Sequence, residues 1–154
     1  MLELSIGKNG NIFTLPRNGE AVCITTNGIV KANGHAVMGK GIALEADNLF
    51  HISKKLGCYL NKYGNRVFNM GKFSNGYQCL TVITFPTKYD WKDNSDINLI
   101  CKSAKQLVEL CNKFNITKCY LTPPGCGNGK LNWRIVKDYI SPILDDRFII
   151  VFRD

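Results

Sequence analysis

An α/β fold, with helices on both faces of a mixed sheet, is the expectation for this 154-residue chain. Three observations predict it. Short β-branched stretches alternate with segments whose apolar residues recur at helical spacing. Two glycine loops, Val37–Ala43 and Pro124–Gly129, each follow such a stretch and lead into a helical pattern. A third turn, Ser74-Asn75-Gly76, joins two further strands as a hairpin.

The elements follow in order. Leu2–Ile6 alternates as a strand, Lys8–Asn11 contains the Asn-Gly hairpin signal, and Ile12–Leu15 reads as a short second strand. Ala21–Thr26 is nearly all apolar, as a central strand is. Residues 27–38 read as loop. Ile42, Ala43, Ala46, Leu49, Phe50, Ile52 and Leu56 predict one helix over Gly41–Leu56. Arg66–Phe73 and Tyr77–Phe85 are strands, the second ended by Pro86. Asp93-Asn94-Ser95 caps a helix that runs to about Phe114, with Ile97, Ile100, Ala104, Leu107, Cys111 and Phe114 on its apolar face. Residues 118–122 form a strand, Leu131–Ile140 a helix stopped by Pro142, and Arg147–Phe152 a last buried strand.

Composition narrows the function classes. The length suits one domain spanning residues 1–154 with a real core, and no linker or repeat interrupts it. No apolar run is long enough to cross a bilayer, and the N-terminus lacks a signal-peptide layout, so no membrane partner is expected. Seven scattered cysteines, odd in number and never in a C-x-x-C pair, fit a reducing cytoplasm better than a disulfide framework. His, Cys, Asp and Glu show no ligand spacing, so neither a metal nor another cofactor is expected. The net charge of +8 favours anionic partners, but the lysines are spread along the chain rather than gathered in a nucleic-acid stripe.

The glycine loops carry the chemistry. Between a strand and a helix they turn backbone N–H groups outward with no side chain in the way, and the helix N-terminus adds partial positive charge. Two such loops suggest a diphosphate gripped from both sides. Gly34–Gly41 nearly matches the P-loop pattern but ends in Gly41, where a hydroxyl must hold Mg²⁺. Gly39-x-Gly41 is a poor dinucleotide fingerprint, because Leu44 occupies the third glycine position.

Taken together, Thr26-Asn27-Gly28, Asn33 through Ala43 and Gly125 through Trp133 resemble the macro domain family of ADP-ribose-binding proteins, and most of all its phage and bacterial branch. Phe85-Pro86-Thr87-Lys88-Tyr89-Asp90-Trp91 resembles a segment of the branch that removes ADP-ribose from DNA and from acidic side chains. The resemblance covers Leu2 to Phe152 and implies a macro-type three-layer α/β/α sandwich with a mixed central sheet. It implies ADP-ribose or a derivative as ligand, with ADP-ribosylated DNA or protein as the macromolecular partner. Asn11 and Ile12 match the pair that reads the adenine edge, Asn11 replacing the usual Asp. Asn27 and Asn33 match asparagines near the distal ribose. Gly39, Lys40, Gly41, Ile42 and Ala43 match the first diphosphate loop, and Gly125, Cys126, Gly127, Asn128 and Gly129 the second. Phe152 matches an aromatic that stacks on adenine, and Lys88 the catalytic lysine. Some hydrolases of the branch carry an acid where Gly129 stands here.

Each candidate has a plainer reading beside it. Lys88 reads equally as a surface lysine before a turn. Its aromatic neighbours Tyr89 and Trp91 favour the other role, since a lysine stripped of water tends toward the neutral, nucleophilic amine. His35 reads as a solvated loop histidine or as an acid/base beside the distal ribose, with Asn33. Cys126 lies at what reads as a helix N-terminus, a setting that lowers a thiol pKa, yet it reads better as packing below the phosphate loop. Trp133 reads as core. The leading function is a hydrolase that removes ADP-ribose from a macromolecule. A phosphatase acting on ADP-ribose 1″-phosphate and a non-catalytic ADP-ribose reader are the alternatives.

Overall fold

A computed structural model describes all residues, 1–154. Six strands form one sheet: β1 (Leu2–Ser5), β2 (Ala21–Thr26), β3 (Phe68–Ser74), β4 (Cys79–Pro86), β5 (Cys119–Leu121) and β6 (Phe148–Phe152), in the order β1-β6-β5-β2-β4-β3. All neighbouring pairs are parallel except β3 with β4, the expected hairpin. The helices are α1 (Ile42–Phe50), α2 (Ser53–Tyr63), α3 (Ile97–Lys113) and α4 (Trp133–Ile140).

Strand alternation splits the interior in two. Val22 and Ile24 of β2 point to one face, where Ile42, Ala46, Leu56 and Leu60 of α1 and α2 cover them. Ala21 and Cys23 point to the other, beneath Ile100, Ala104 and Leu107 of α3 and Val136 and Ile140 of α4. Both sides of β2 are therefore buried, which explains its continuous apolar run. The three-layer α/β/α sandwich with a mixed sheet is the observed architecture.

The structure corrects several elements. Ile12–Leu15 is not a strand: Ile12–Thr14 forms a 3-10 turn, because the Asn11 side chain accepts from Phe13 N at 3.0 Å and Thr14 Oγ1 donates to Asn11 O at 2.7 Å. The Asn-Gly signal at residues 9 and 10 makes a turn but no hairpin, since β1 is an edge strand that runs parallel to β6. The helix expected over 41–56 is two. His51 turns left-handed (φ 53°), and Asp47 Oδ1 accepts from Ser53 N at 2.8 Å to start α2. One apolar pattern spans both because both bury a face on the same side of the sheet. Asp96, rather than residues 93–95, caps α3, accepting from Asn98 N and Leu99 N. Helix α4 begins at Trp133 behind its Asn132 cap, so the second glycine loop does not run straight into it. The remaining boundaries differ from expectation by one or two residues, at ends where pairing frays first.

Helix α2 docks directly on the loop after β2. A Cβ at Gly57 would collide with Gly34 O. Gly57→Ala should gain a few tenths to about 1 kcal/mol of helix propensity and lose more, about 2 to 3 kcal/mol net, as the loop is pushed off the helix. Urea denaturation followed by circular dichroism checks this; a neutral or stabilising result contradicts the close contact.

Candidate functional site

The chain leaves β2 and β5, which lie side by side, for opposite faces of the sheet. After β2 it passes to α1 on one face; after β5 it passes to α4 on the other. The connections diverge at the carboxyl ends of the strands, which is where open α/β sheets hold ligands. A cleft of about 750 Å³ occupies this position. Thr25, Thr26 and Asn27 line it from β2, Thr87 and Lys88 from β4, Thr122 and Pro123 from β5, and Val151, Phe152 and Arg153 from β6.

The two glycine loops form its facing walls. Gly39, Lys40, Gly41 and Ile42 line one side and Gly125 through Lys130 the other. The N–H groups of residues 39–42 have no acceptor within the protein, and neither do those of residues 127–129. Gly41 caps α1 with φ 75° and ψ −141°, a conformation that a side chain disfavours, and offers no side-chain cap of its own. The open end of α1 thus faces the cleft with its partial positive charge. The loops approach closely: a Cβ at Gly41 would lie 3.6 Å from Asn128 Nδ2.

Ser95 holds the second loop in shape. Its N–H donates to Gly129 O at 3.1 Å, and Gly125 packs on its side chain. A Cβ at Gly129 would collide with the Ser95 hydroxyl. In this loop conformation there is no space at 129 for an acidic side chain. The Ser95 hydroxyl itself is buried with no hydrogen-bond partner.

Lys88 is half-buried, and its Nζ reaches across to donate to Asn128 O at 3.4 Å. Tyr89 and Trp91 do not enclose it. Both rings are about half exposed, at 56% and 50%, and Lys92 Nζ sits 5.9 Å from the Trp91 ring centre. The expected aromatic shelter is therefore not formed by these two residues: Trp91 lines the cleft but stays half exposed, and Tyr89 is not among the lining residues.

Other candidates are placed as follows. Asn27 lines the cleft but spends its amide on the loop behind it, donating to Val37 O at 2.9 Å and accepting from Ile29 N at 3.0 Å. Phe152 lines the cleft with its ring edge-on to Trp133, at 5.8 Å and 74°. Trp133 is half-buried rather than core, and its indole N–H donates to Glu3 Oε1 at 3.1 Å. Asn11, Ile12, Asn33, His35 and Ala43 are not among the lining residues. The Ile12 side chain is wholly buried in the core. Asn33 accepts from His35 N, and His35 Nδ1 lies 3.0 Å from Ser53 Oγ at the start of α2, which anchors that loop to the helix.

Cys126 is corrected on one point. Burial pushes its thiol up to about 11, rather than a helix N-terminus pulling it down, because α4 begins seven residues later.

Arg153 was missed in the sequence. It follows Phe152, pairs with Glu45 of α1 at 2.8 Å, and leaves Nε and Nη2 buried without acceptors. A charged residue directly after the expected adenine-stacking aromatic was the available signal. Ser95 was read only as part of a helix cap. Across the cleft, Lys40, Lys88, Lys92, Lys130 and Arg153 stand against Glu45, Asp93 and Asp154, a balance that favours an anionic ligand.

No family model matches the chain. Solved structures do. Over 99% of both chains it superposes on the macrodomain of Thermus aquaticus DarG, with a TM-score of 0.74 and 25% identity. The macrodomain of Mycobacterium tuberculosis DarG gives 0.71 and 25% over the same share. The chain folds as a macro domain. Among curated proteins, this macro domain is 28% identical over 141 residues to a DNA ADP-ribosyl glycohydrolase of Thermus aquaticus. That match covers 88% of the chain and only 36% of the relative, so the chain spans about a third of that protein's length. Thermosipho africanus DarTG, solved in complex with ADP-ribose, shares the fold with a TM-score of 0.73 at 22% identity.

The burial of Cys126 has a direct readout. With its thiol raised, Cys126 stays protonated at pH 8 and carries little thiolate, the reactive form. Iodoacetamide at pH 8, followed by peptide mass spectrometry, should label the exposed Cys58 and Cys79 well before Cys126. Labelling of Cys126 first would mean that the loop opens or that the thiol is activated.

Proposed function

We propose that this macro domain binds ADP-ribose across the cleft and removes it from DNA. The observation that carries the reading is the pair of facing loops, whose N–H groups at 39–42 and 127–129 have no acceptor within the protein. Two rows of donors on opposite walls suit the oxygens of a diphosphate, which brings its negative charge to the open end of α1. Phe152 offers a ring face at one end for the adenine. Lys88 stands at the other, tied to the second loop through Asn128 O, where the distal ribose would lie. The T. aquaticus glycohydrolase supports DNA as the macromolecule, and the T. africanus complex supports ADP-ribose as the ligand.

The chemistry assigned to Lys88 is displacement at the anomeric carbon of the distal ribose. Nζ, once it has given up its ammonium proton to solvent, bonds to C1″ as the bond from C1″ to the DNA base breaks. The proton released from nitrogen passes to the departing base. Water then attacks C1″ and returns the amine, freeing ADP-ribose. The loops contribute position: they fix the diphosphate, so C1″ is presented to Lys88 without further ordering.

Calorimetry should give micromolar affinity for ADP-ribose and much weaker binding of adenosine, which lacks the diphosphate; equal affinities would contradict the two-loop reading. Gly41→Val puts a side chain where backbone must meet phosphate, at a left-handed φ, and should abolish binding in a chain that still folds.

Lys88→Ala should lower turnover of ADP-ribosylated DNA by about 100-fold or more while ADP-ribose affinity changes little, because the loops supply the grip. The protein is offered ADP-ribosylated DNA, ADP-ribosylated protein and ADP-ribose 1″-phosphate in parallel, with products separated by chromatography. Release from DNA is the expected outcome. Turnover of the phosphate alone would make the domain a phosphatase, and turnover of none would make it a reader.

A further inference from the structure

The backbone that carries Lys88 is pinned in an unusual way. Strand β4 ends at Pro86, and no regular element follows until α3. Yet three successive carbonyls in this gap each accept from a different part of the chain. Thr87 O accepts from Asp96 N at 2.9 Å, at the cap of α3. Lys88 O accepts from Asn65 Nδ2 at 3.0 Å, from the connection between α2 and β3. Tyr89 O accepts from Gly28 N at 3.1 Å, in the loop after β2. Two of these donors are backbone groups. Asn65 is the only side chain of the three.

Asn65 is oriented for this bond and not for its own satisfaction. Its Oδ1 is buried with no partner. Turning the amide over would set Oδ1 against the Lys88 carbonyl oxygen and leave the amide donors without it, so the carbonyl fixes the orientation. The neighbouring chain leaves room for it. A Cβ at Gly28 would fall 3.0 Å from the Asn65 amide, tighter than side chains normally pack.

We infer that Asn65 is a positioning residue for Lys88, holding the main chain so that Nζ meets the second loop and the ligand placed there. Asn65 is not among the residues that line the cleft, so it acts through Lys88 and not on the ligand. The inference rests on Lys88 acting at the anomeric carbon. An ångström of misplacement at a reacting group lowers rate far more than it lowers affinity held elsewhere.

The test compares N65D, N65A and K88A with the wild type for thermal unfolding, ADP-ribose affinity and turnover of ADP-ribosylated DNA. N65D keeps the shape and replaces the donor with an acceptor; N65A removes the amide. Both should fold and bind ADP-ribose within about twofold of wild type, while kcat falls by about tenfold or more and KM stays nearly constant. A purely structural role would instead weaken binding and stability together with turnover. If K88A is inactive and the Asn65 variants turn over normally, the inference is overturned and the role of Lys88 stands. If K88A turns over normally, the role of Lys88 falls first and takes this inference with it. Failure of both Asn65 variants to fold, or loss of binding in parallel with turnover, makes Asn65 structural and also overturns it.

Discussion

Almost everything at the cleft depends on where β2 lies in the sheet. With β4 on one side and β5 on the other, all three running parallel, the carboxyl ends of three strands point the same way. The chain must then leave β2 and β5 toward opposite faces, because α1 and α4 cover different sides. Neighbouring strands whose exits diverge open a crevice that no side chain has to be removed to create. The sequence fills its rim with glycine and its floor with threonine. The backbone is therefore both wall and ligand-facing surface.

That choice explains the tolerance and the intolerance of the two loops. Donors supplied by main-chain N–H groups do not depend on which side chain is present, provided that none blocks the approach. Gly41 meets this condition through its conformation. Gly129 meets it through space, since Ser95 occupies the place where its side chain would grow. Ser95 and Lys88 reach the second loop at adjacent carbonyls, Gly129 O and Asn128 O, from the single segment that follows β4. The loop is therefore tied at two successive residues to the one segment that carries both the lysine and the approach to α3.

Arg153 works at the opposite end in a related way. Its pairing with Glu45 joins the end of β6 to the first turn of α1, next to Gly41. Two of its donor atoms have no partner, although burying unsatisfied guanidinium nitrogen is costly. The wall near Phe152 thus carries polar capacity that the protein itself does not use.

The fold class was legible in the sequence because it rests on periodicity. The apolar runs at residues 21–26 and 148–152 and the helical spacing at 97–114 record burial directly. The two loops were legible because glycines cluster directly after β-branched runs, although only the first of them leads straight into a helix. What failed was local chemistry competing with pattern. Asn11 bent an apparent strand into a 3-10 turn, and His51 broke one helical pattern into two helices. The sequence by itself determined the layers and the six strands of the sheet, and it placed glycine on both walls of the cleft. Only the tertiary structure decided that Ser95 fills the space at Gly129, that Arg153 pairs with Glu45 at the cleft, and that Asn65 donates to the Lys88 carbonyl. The reason is that these contacts link residues between 23 and 108 positions apart, and pairings at such distances leave no periodic trace along a chain.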